Sequence, residues 1–229
     1  LIINNSAYYN LTLRFVCCSD VIVLNSTFHA FYLDNSYLTI NYSKIPIVRV
    51  NTCADDVKYS VFGKPYMNYL NIFNSTIAIL YQYYVSSLYL NLENSIIHNI
   101  DLRSKNQANL VNCTSTHLFI YAGSSMIINN SKIFIIEGFK GSEFEILNSD
   151  IQELRGYDNS YFKISHSRIN LLLKSPYSTF ILESNEIEQT RYHQYFYEAL
   201  AVLIIVVVVS ISLFALYKAK EKKKKLTHT

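Results

Sequence analysis

Glu143 and Glu145 are the side chains best spaced for acid–base chemistry. They flank Phe144, and in a strand a spacing of two turns both carboxyls to one face. Such a pair works as general acid and general base only if its surroundings drive the two pKa values apart. Glu183 is a third carboxylate of the same kind, and Asp55-Asp56 is the one adjacent acidic pair. Outward Glu on a strand is ordinarily a solvated face, and these read as one. The six His (29, 98, 117, 166, 193 and 228) show none of the spacings that hold a metal. No catalytic residue, metal ligand or cofactor is therefore assigned. Two other chemistries are written into the chain. Asn-x-Ser/Thr sequons stand at Asn4, Asn10, Asn25, Asn41, Asn74, Asn112 and Asn129. Cys17, Cys18, Cys53 and Cys113 complete the inventory of reactive side chains.

What positions these residues is a repeat. DNSYLTINYSKI from Asp34 aligns with DNSYFKISHSRI from Asp158, and LIINNS at Leu1 matches MIINNS at Met126. From Leu90 onward the period is a steady eighteen residues. One apolar column reads Leu92, Leu110, Ile128, Ile146, Ile164, Leu182, and a second, two positions earlier, reads Leu90, Ala108, Met126, Phe144, Phe162, Phe180. A third is Ile97, Ser115, Ile133, Ile151, Ile169, Ile187, and Asn106, Ser124, Ser142, Ser160, Ser178 form a polar column. Each rung reads apolar-x-apolar-x-Asn-Ser-x-apolar: a strand of period two, a corner and a second strand. Asn suits the corner because it tolerates the left-handed backbone, and its amide can bond to neighbouring rungs. The expected ladder is Asn5, Asn25, Asn74, Asn94, Asn112, Asn130 and Asn148, with His166 and Ser184 substituting further on. Rung starts at 1, 21, 38, 70, 90, 108, 126, 144, 162 and 180, plus an irregular rung near 54, predict about eleven rungs.

The all-β reading is thus a parallel β-helix over residues 1–190. The apolar-x-apolar-x-Asn-x-x-apolar rung resembles the right-handed β-helix of pectin-lyase-like proteins, most specifically over 90–190. The left-handed hexapeptide helix is disfavoured, because Gln152 and Asn170 occupy places where its six-residue apolar spacing would require aliphatics. The resemblance implies that polysaccharide lyase or hydrolase activity is the enzymatic alternative. In composition, with its many Asn, Ile and Tyr, crowded sequons and Lys-rich tail, the chain is also similar to archaeal surface proteins.

Residues 199–217 are nineteen positions without a charge, long enough as a helix to cross a bilayer. Residues 191–198 form a juxtamembrane connector with Tyr195, Phe196 and Tyr197, and 218–229 a tail with six Lys against Glu221. Basic runs also bind nucleic acid, but one that directly follows an apolar span reads as the cytoplasmic flank of a membrane helix. That orientation puts residues 1 to about 195 outside a cell or viral envelope. There glycosylation is allowed, and Asn4, Asn10, Asn41 and Asn129 are expected to carry it, since Asn25, Asn74 and Asn112 belong to the ladder. Disulfides also persist there. One bridge, from Cys17 or Cys18 to Cys53, requires segment 49–69 to fold back, while Cys113 reads as a small replacement for Ser.

The expected function is a non-enzymatic, single-pass surface protein with a solenoid scaffold or binding face. The alternatives are the lyase or hydrolase and an accessory subunit of a membrane enzyme. Expected partners are the lipid bilayer, glycans, and a protein or second copy at the N-terminal end or flank, with no nucleic acid. Outward aromatics at Tyr8, Tyr32, Phe73, Tyr89 and Tyr161 support a contact role.

Overall fold

A computed structural model describes residues 1–16, 20–34, 37–51, 67–82, 87–103, 105–121, 123–192, 201–212 and 214. The chain forms two units, Leu1–Arg191 and Tyr192–Thr229. The first is a parallel β-solenoid built from two ten-stranded sheets. One sheet stacks Ile2–Asn4, Asp20–Leu24, Tyr37–Asn41, Met67–Phe73, Ser87–Glu93, Gln107–Val111, Ser125–Asn129, Glu143–Leu147, Tyr161–Ser165 and Thr179–Glu183. The other stacks Ala7–Val16, Thr27–Asp34, Lys44–Asn51, Thr76–Gln82, Ile96–Leu102, Thr114–Ile120, Lys132–Gly138, Asp150–Gly156, Arg168–Lys174 and Glu186–Tyr192. Every turn contributes one strand to each sheet, so the described chain makes ten turns and not eleven. The irregular rung expected near residue 54 does not interrupt the stack: Leu38 pairs directly with Leu70, and Lys44 with Thr76. The sequence count went wrong by assuming that every segment of rung length must be a rung. From Ser87 on, the registers run at eighteen, for example Leu92 with Leu110 and Leu110 with Ile128.

The expected apolar columns fill the interior as far as the turn of Ile164, while at the last turn Leu182 is exposed and Phe180 and Ile187 are half-buried. Leu92, Leu110, Ile128, Ile146 and Ile164 are fully buried, as are Leu90, Phe162, Ile97, Ile151 and Ile169. The longer strands carry a feature that their alternation conceals. In Thr114–Ile120 the inward residues are Ser115, Leu118 and Ile120, so the phase slips near Thr116, and the register to Ile96–Leu102 omits the pair of Thr116 with His98. This bend gives each turn a third face. The polar column also lies inside: Asn106, Ser124, Ser142 and Ser160 are buried. Asn106 makes its place tolerable by accepting from the Leu88 backbone N–H at 2.9 Å and donating to Gln82.

All seven ladder asparagines adopt the left-handed conformation, with φ between 46° at Asn25 and 52° at Asn5 and Asn112. Tyr42, His166 and Ser184 take the same conformation at equivalent corners. Their backbone N–H groups continue the inter-turn pairing, as in Asn112 N–H to Asn129 O at 3.1 Å. The amide ladder differs from the expected one. Asn112 donates to Asn94 at 3.1 Å and Asn130 donates to Asn112, but Asn25, Asn74 and Asn148 reach sideways to Asn4, Asn41 and Asn129. These amides are solvent-exposed, so the asparagines contribute chiefly through backbone conformation.

The buried ladder is the next residue along. Ser6, Ser26, Ser43 and Ser75 each donate a backbone N–H to the hydroxyl one turn above, at 3.0–3.1 Å. Cys113, Ser131 and Ser149 do the same to Ser131, Ser149 and Ser167, at 3.0, 3.2 and 3.1 Å. Each hydroxyl in turn donates to the carbonyl two residues earlier, as Ser149 does to Leu147 at 2.7 Å. The corner N–H that would otherwise be stranded in the interior is thereby paired in every such turn.

In the second unit, 201–212 is helical. Among the described residues no helix is long and apolar enough to cross a membrane. The rest of the expected 199–217 span and the basic tail lie outside the described residues, apart from Phe214. The same is true of Cys17, Cys18, Cys53, Asp55, Asp56, His193 and His228.

Candidate binding face

Beyond the bend, two outward positions of each long strand stack into columns on the third face. One column runs Ile47, Ile79, Asn99, His117, Ile135, Glu153, Leu171, and the other runs Arg49, Tyr81, Asp101, Phe119, Glu137, Arg155, Leu173. Tyr32 precedes Arg49 in the second column. Chemistry therefore concentrates here by stacking, not by local motif.

From one end, the Arg49 guanidinium carbon lies 5.0 Å from the ring centroids of both Tyr32 and Tyr81. Asp101 is gripped by Arg103, whose Nη2 sits 2.7 Å from Oδ2. His117 stacks on Phe119 at 4.1 Å, and its Nε2 is buried without a partner. Burial lowers the His117 pKa, with the Glu137 charge opposing. Glu137, nearly buried, is bonded by Arg155 Nη1, while Arg155 Nε donates to Glu153 at 2.9 Å. The hydrogen bond that Arg155 donates to Glu153 raises the Arg155 pKa against the opposing effect of burial, and Glu137 adds to it. Tyr121, Phe139 and Tyr157 stack alongside with centroids 4.6 and 4.7 Å apart. The Tyr121 and Tyr157 phenols are pushed up, first by burial and then by the charges of Asp101 and Glu137 respectively. The result is an interlocked surface of rings and ion pairs.

The residues singled out from sequence do not converge. Glu143, Glu145 and Glu183 all lie on the sheet opposite the bridged columns; Glu145 bonds Lys163 at 3.0 Å and Glu143 and Glu183 are exposed, so no acid pair is isolated from solvent. Tyr89 and Tyr161 are exposed in one column but are separated by Gln107, Ser125 and Glu143. Phe73 is half-buried in a different column, Tyr32 alone of these lies on the third face beside Arg49, and the side chain of Tyr8 lies outside the described residues. A separate ring stack joins Tyr37 to Tyr69 at 4.4 Å and Tyr69 to Tyr89 at 5.9 Å. His166 holds a corner, as expected, and His29 and His98 are exposed. Among the described residues no group of His, Cys, Asp or Glu is arranged to hold a metal ion. Cys113 is a free, buried thiol whose pKa is raised by burial.

Sequence reasoning missed the Glu137–Arg155–Glu153 bridge and the Tyr121–Phe139–Tyr157 stack. The stack had a signal, since its three rings are eighteen residues apart. The bridge had one too: Glu137 and Arg155 are eighteen residues apart, and Glu153 and Arg155 stand two apart on one strand face.

The six solenoid sequons outside Asn10 gather at one corner. Asn25, Asn74 and Asn112 use the side-chain nitrogen as a donor, whereas Asn4, Asn41 and Asn129 accept through oxygen. The nitrogens to which a glycan would attach are thus unbonded in the second group. The side chain of Asn10 lies outside the described residues.

No family model, curated protein or solved structure matches the chain. The class is defined by fold alone: a parallel β-solenoid.

Proposed function

We propose that the chain is a non-enzymatic, membrane-anchored surface protein whose solenoid flank is a scaffold for a protein partner. The observation that carries this reading is the bridged flank. Glu137 and Glu153 are both committed to Arg155, so neither carboxylate is poised as a free acid or base, while the surrounding rings present a rigid contact surface. Right-handed winding, as in pectin-lyase-like proteins, is part of the proposal, because parallel crossovers are overwhelmingly right-handed.

The anchor is supported by the helix at 201–212. Its Val and Ile side chains, from Val202 through Ile211, are about half exposed on every side, an arrangement ill suited to water. Ser210 and Ser212 donate to Val206 and Val208 carbonyls at 2.8 and 2.9 Å, satisfying both hydroxyls within the helix as a lipid setting demands. The Lys run after it orients the tail to the cytoplasm. An exterior solenoid then exposes Asn4, Asn10, Asn41 and Asn129 to glycosylation.

A tag placed after Thr229 tests the topology. On intact cells it is expected to resist labelling by an impermeant reagent, while tyrosines of the solenoid react. A tail labelled from outside reverses the orientation, and a solenoid protected from the reagent removes the surface assignment. Cleavage of an acidic polysaccharide by the purified chain would favour the lyase or hydrolase instead.

A further inference from the structure

Five arginine side chains are described. Arg103, Arg155 and Arg168 bond carboxylates, and Arg191 bonds the Gln189 amide. Arg49 alone has no hydrogen bond or ion pair. Its Nε is buried without an acceptor, and its terminal nitrogens, equally unbonded, reach solvent. It is nevertheless held: Tyr32 and Tyr81 stand on either side at 5.0 Å, one turn below and one above.

A guanidinium fixed between two rings has already lost much of the side-chain freedom that binding would remove. What it still offers is a planar set of N–H donors, and the group matching that set in geometry and charge is a carboxylate. The adjacent column decides who brings it. Ile47 is half-buried and Ile79 is 39% exposed beside the clamp, with no polar side chain between them in register. A uronate sugar would set its hydroxyls against these aliphatics, whereas an Asp or Glu among apolar residues of a protein matches both. Tyr and Arg around an apolar rim are also what the energetic centres of protein interfaces are made of.

We propose that Arg49, clamped by Tyr32 and Tyr81 and flanked by Ile47 and Ile79, is the docking point for a carboxylate side chain of a protein partner. This rests on the scaffold reading above and names the chemistry of its contact.

The test follows the Arg49 15Nε resonance of the full chain in mild detergent during titration with acetyl-Leu-Glu-Leu-amide. A saturable shift is expected with this peptide. The Gln counterpart should bind roughly tenfold more weakly or not at all, as should digalacturonate. Arg49→Lys keeps the charge but not the planar fork. It is expected to melt with the parent and to bind the Glu peptide severalfold more weakly, followed by intensity changes in the Ile79 methyl signals. No saturable shift, equal response to the Glu and Gln peptides, or full binding by Arg49→Lys overturns the proposal. Tighter binding of digalacturonate replaces the protein partner with an acidic glycan. If the Arg49→Gln chain still co-purifies with a stoichiometric partner, the scaffold reading survives and this docking point does not.

Discussion

Replacing Phe162 with Ala is expected to destabilise the solenoid by about 3–5 kcal/mol. For a domain of this size that lowers the melting temperature by roughly 6–20 °C. Phe162 is fully buried and lies between Phe144 and Phe180, with centroids 4.6 and 4.7 Å away and interplanar angles of 8° and 3°. The rings occupy space left by glycine on the opposite wall. A Cβ on Gly138 would come within 2.7 Å of both Phe144 and Phe162, and one on Gly156 within 2.6 Å of Phe180. Neighbouring turns fill the same volume differently, with Leu102 and Ile120 where the glycines stand and Ala108 and Met126 where the rings stand. Truncating the middle ring therefore opens a cavity that glycine cannot refill. Gly138→Ala alone should also destabilise, by about 1–3 kcal/mol through overpacking. The double variant should cost less than the sum, because the two share one volume. Thermal unfolding followed by circular dichroism gives the values. A Phe162→Ala chain melting with the parent would show that the ring stack does not set the core.

Ser149→Ala should cost about 1–3 kcal/mol, a large effect for one hydroxyl. The Ser149 hydroxyl accepts from the Ser131 backbone N–H at 3.2 Å, and alanine strands that donor inside the stack. The chain holds its own control at Cys113. There a thiol donates to Val111 O at 3.3 Å and accepts from the Ser95 backbone, taking the serine role with a longer bond to the carbonyl. Ser149→Cys is therefore expected to be milder than Ser149→Ala. Hydrogen exchange at the Ser131 amide should accelerate markedly in the alanine variant and little in the cysteine one. Equal protection in all three chains would mean that the hydroxyl ladder contributes nothing to holding adjacent turns together.

The repeat made the architecture legible, because side-chain direction in a strand is set by parity and stacking by period. Leu92, Leu110 and Ile128 could be placed in the core from spacing alone, and Asn112 and Asn130 at left-handed corners from residue type. Hydrogen-bonding partners were harder to read. Asn and Ser alternate at the corner, and only geometry shows that the exposed Asn shapes the backbone while the buried Ser carries the inter-turn bond. Long-range electrostatics were harder still. Arg155 and Glu137 meet through the eighteen-residue register and Arg155 and Glu153 through strand parity, but the bend that turns them onto a separate face shows only as a slip of spacing from two to three, as from Ile151 to Leu154. Turn number failed at residues 52–66, where length resembled a rung but the flanking strands pair with each other.

Purification of the full chain from its native membranes in a mild detergent tests the central proposal most directly. The chain is expected to resist extraction by salt or alkaline carbonate, to enter solution with detergent, and to carry a second protein in fixed ratio through size-exclusion chromatography. Release without detergent, or a chain that elutes alone as a monomer under every mild condition, would contradict a membrane-anchored scaffold.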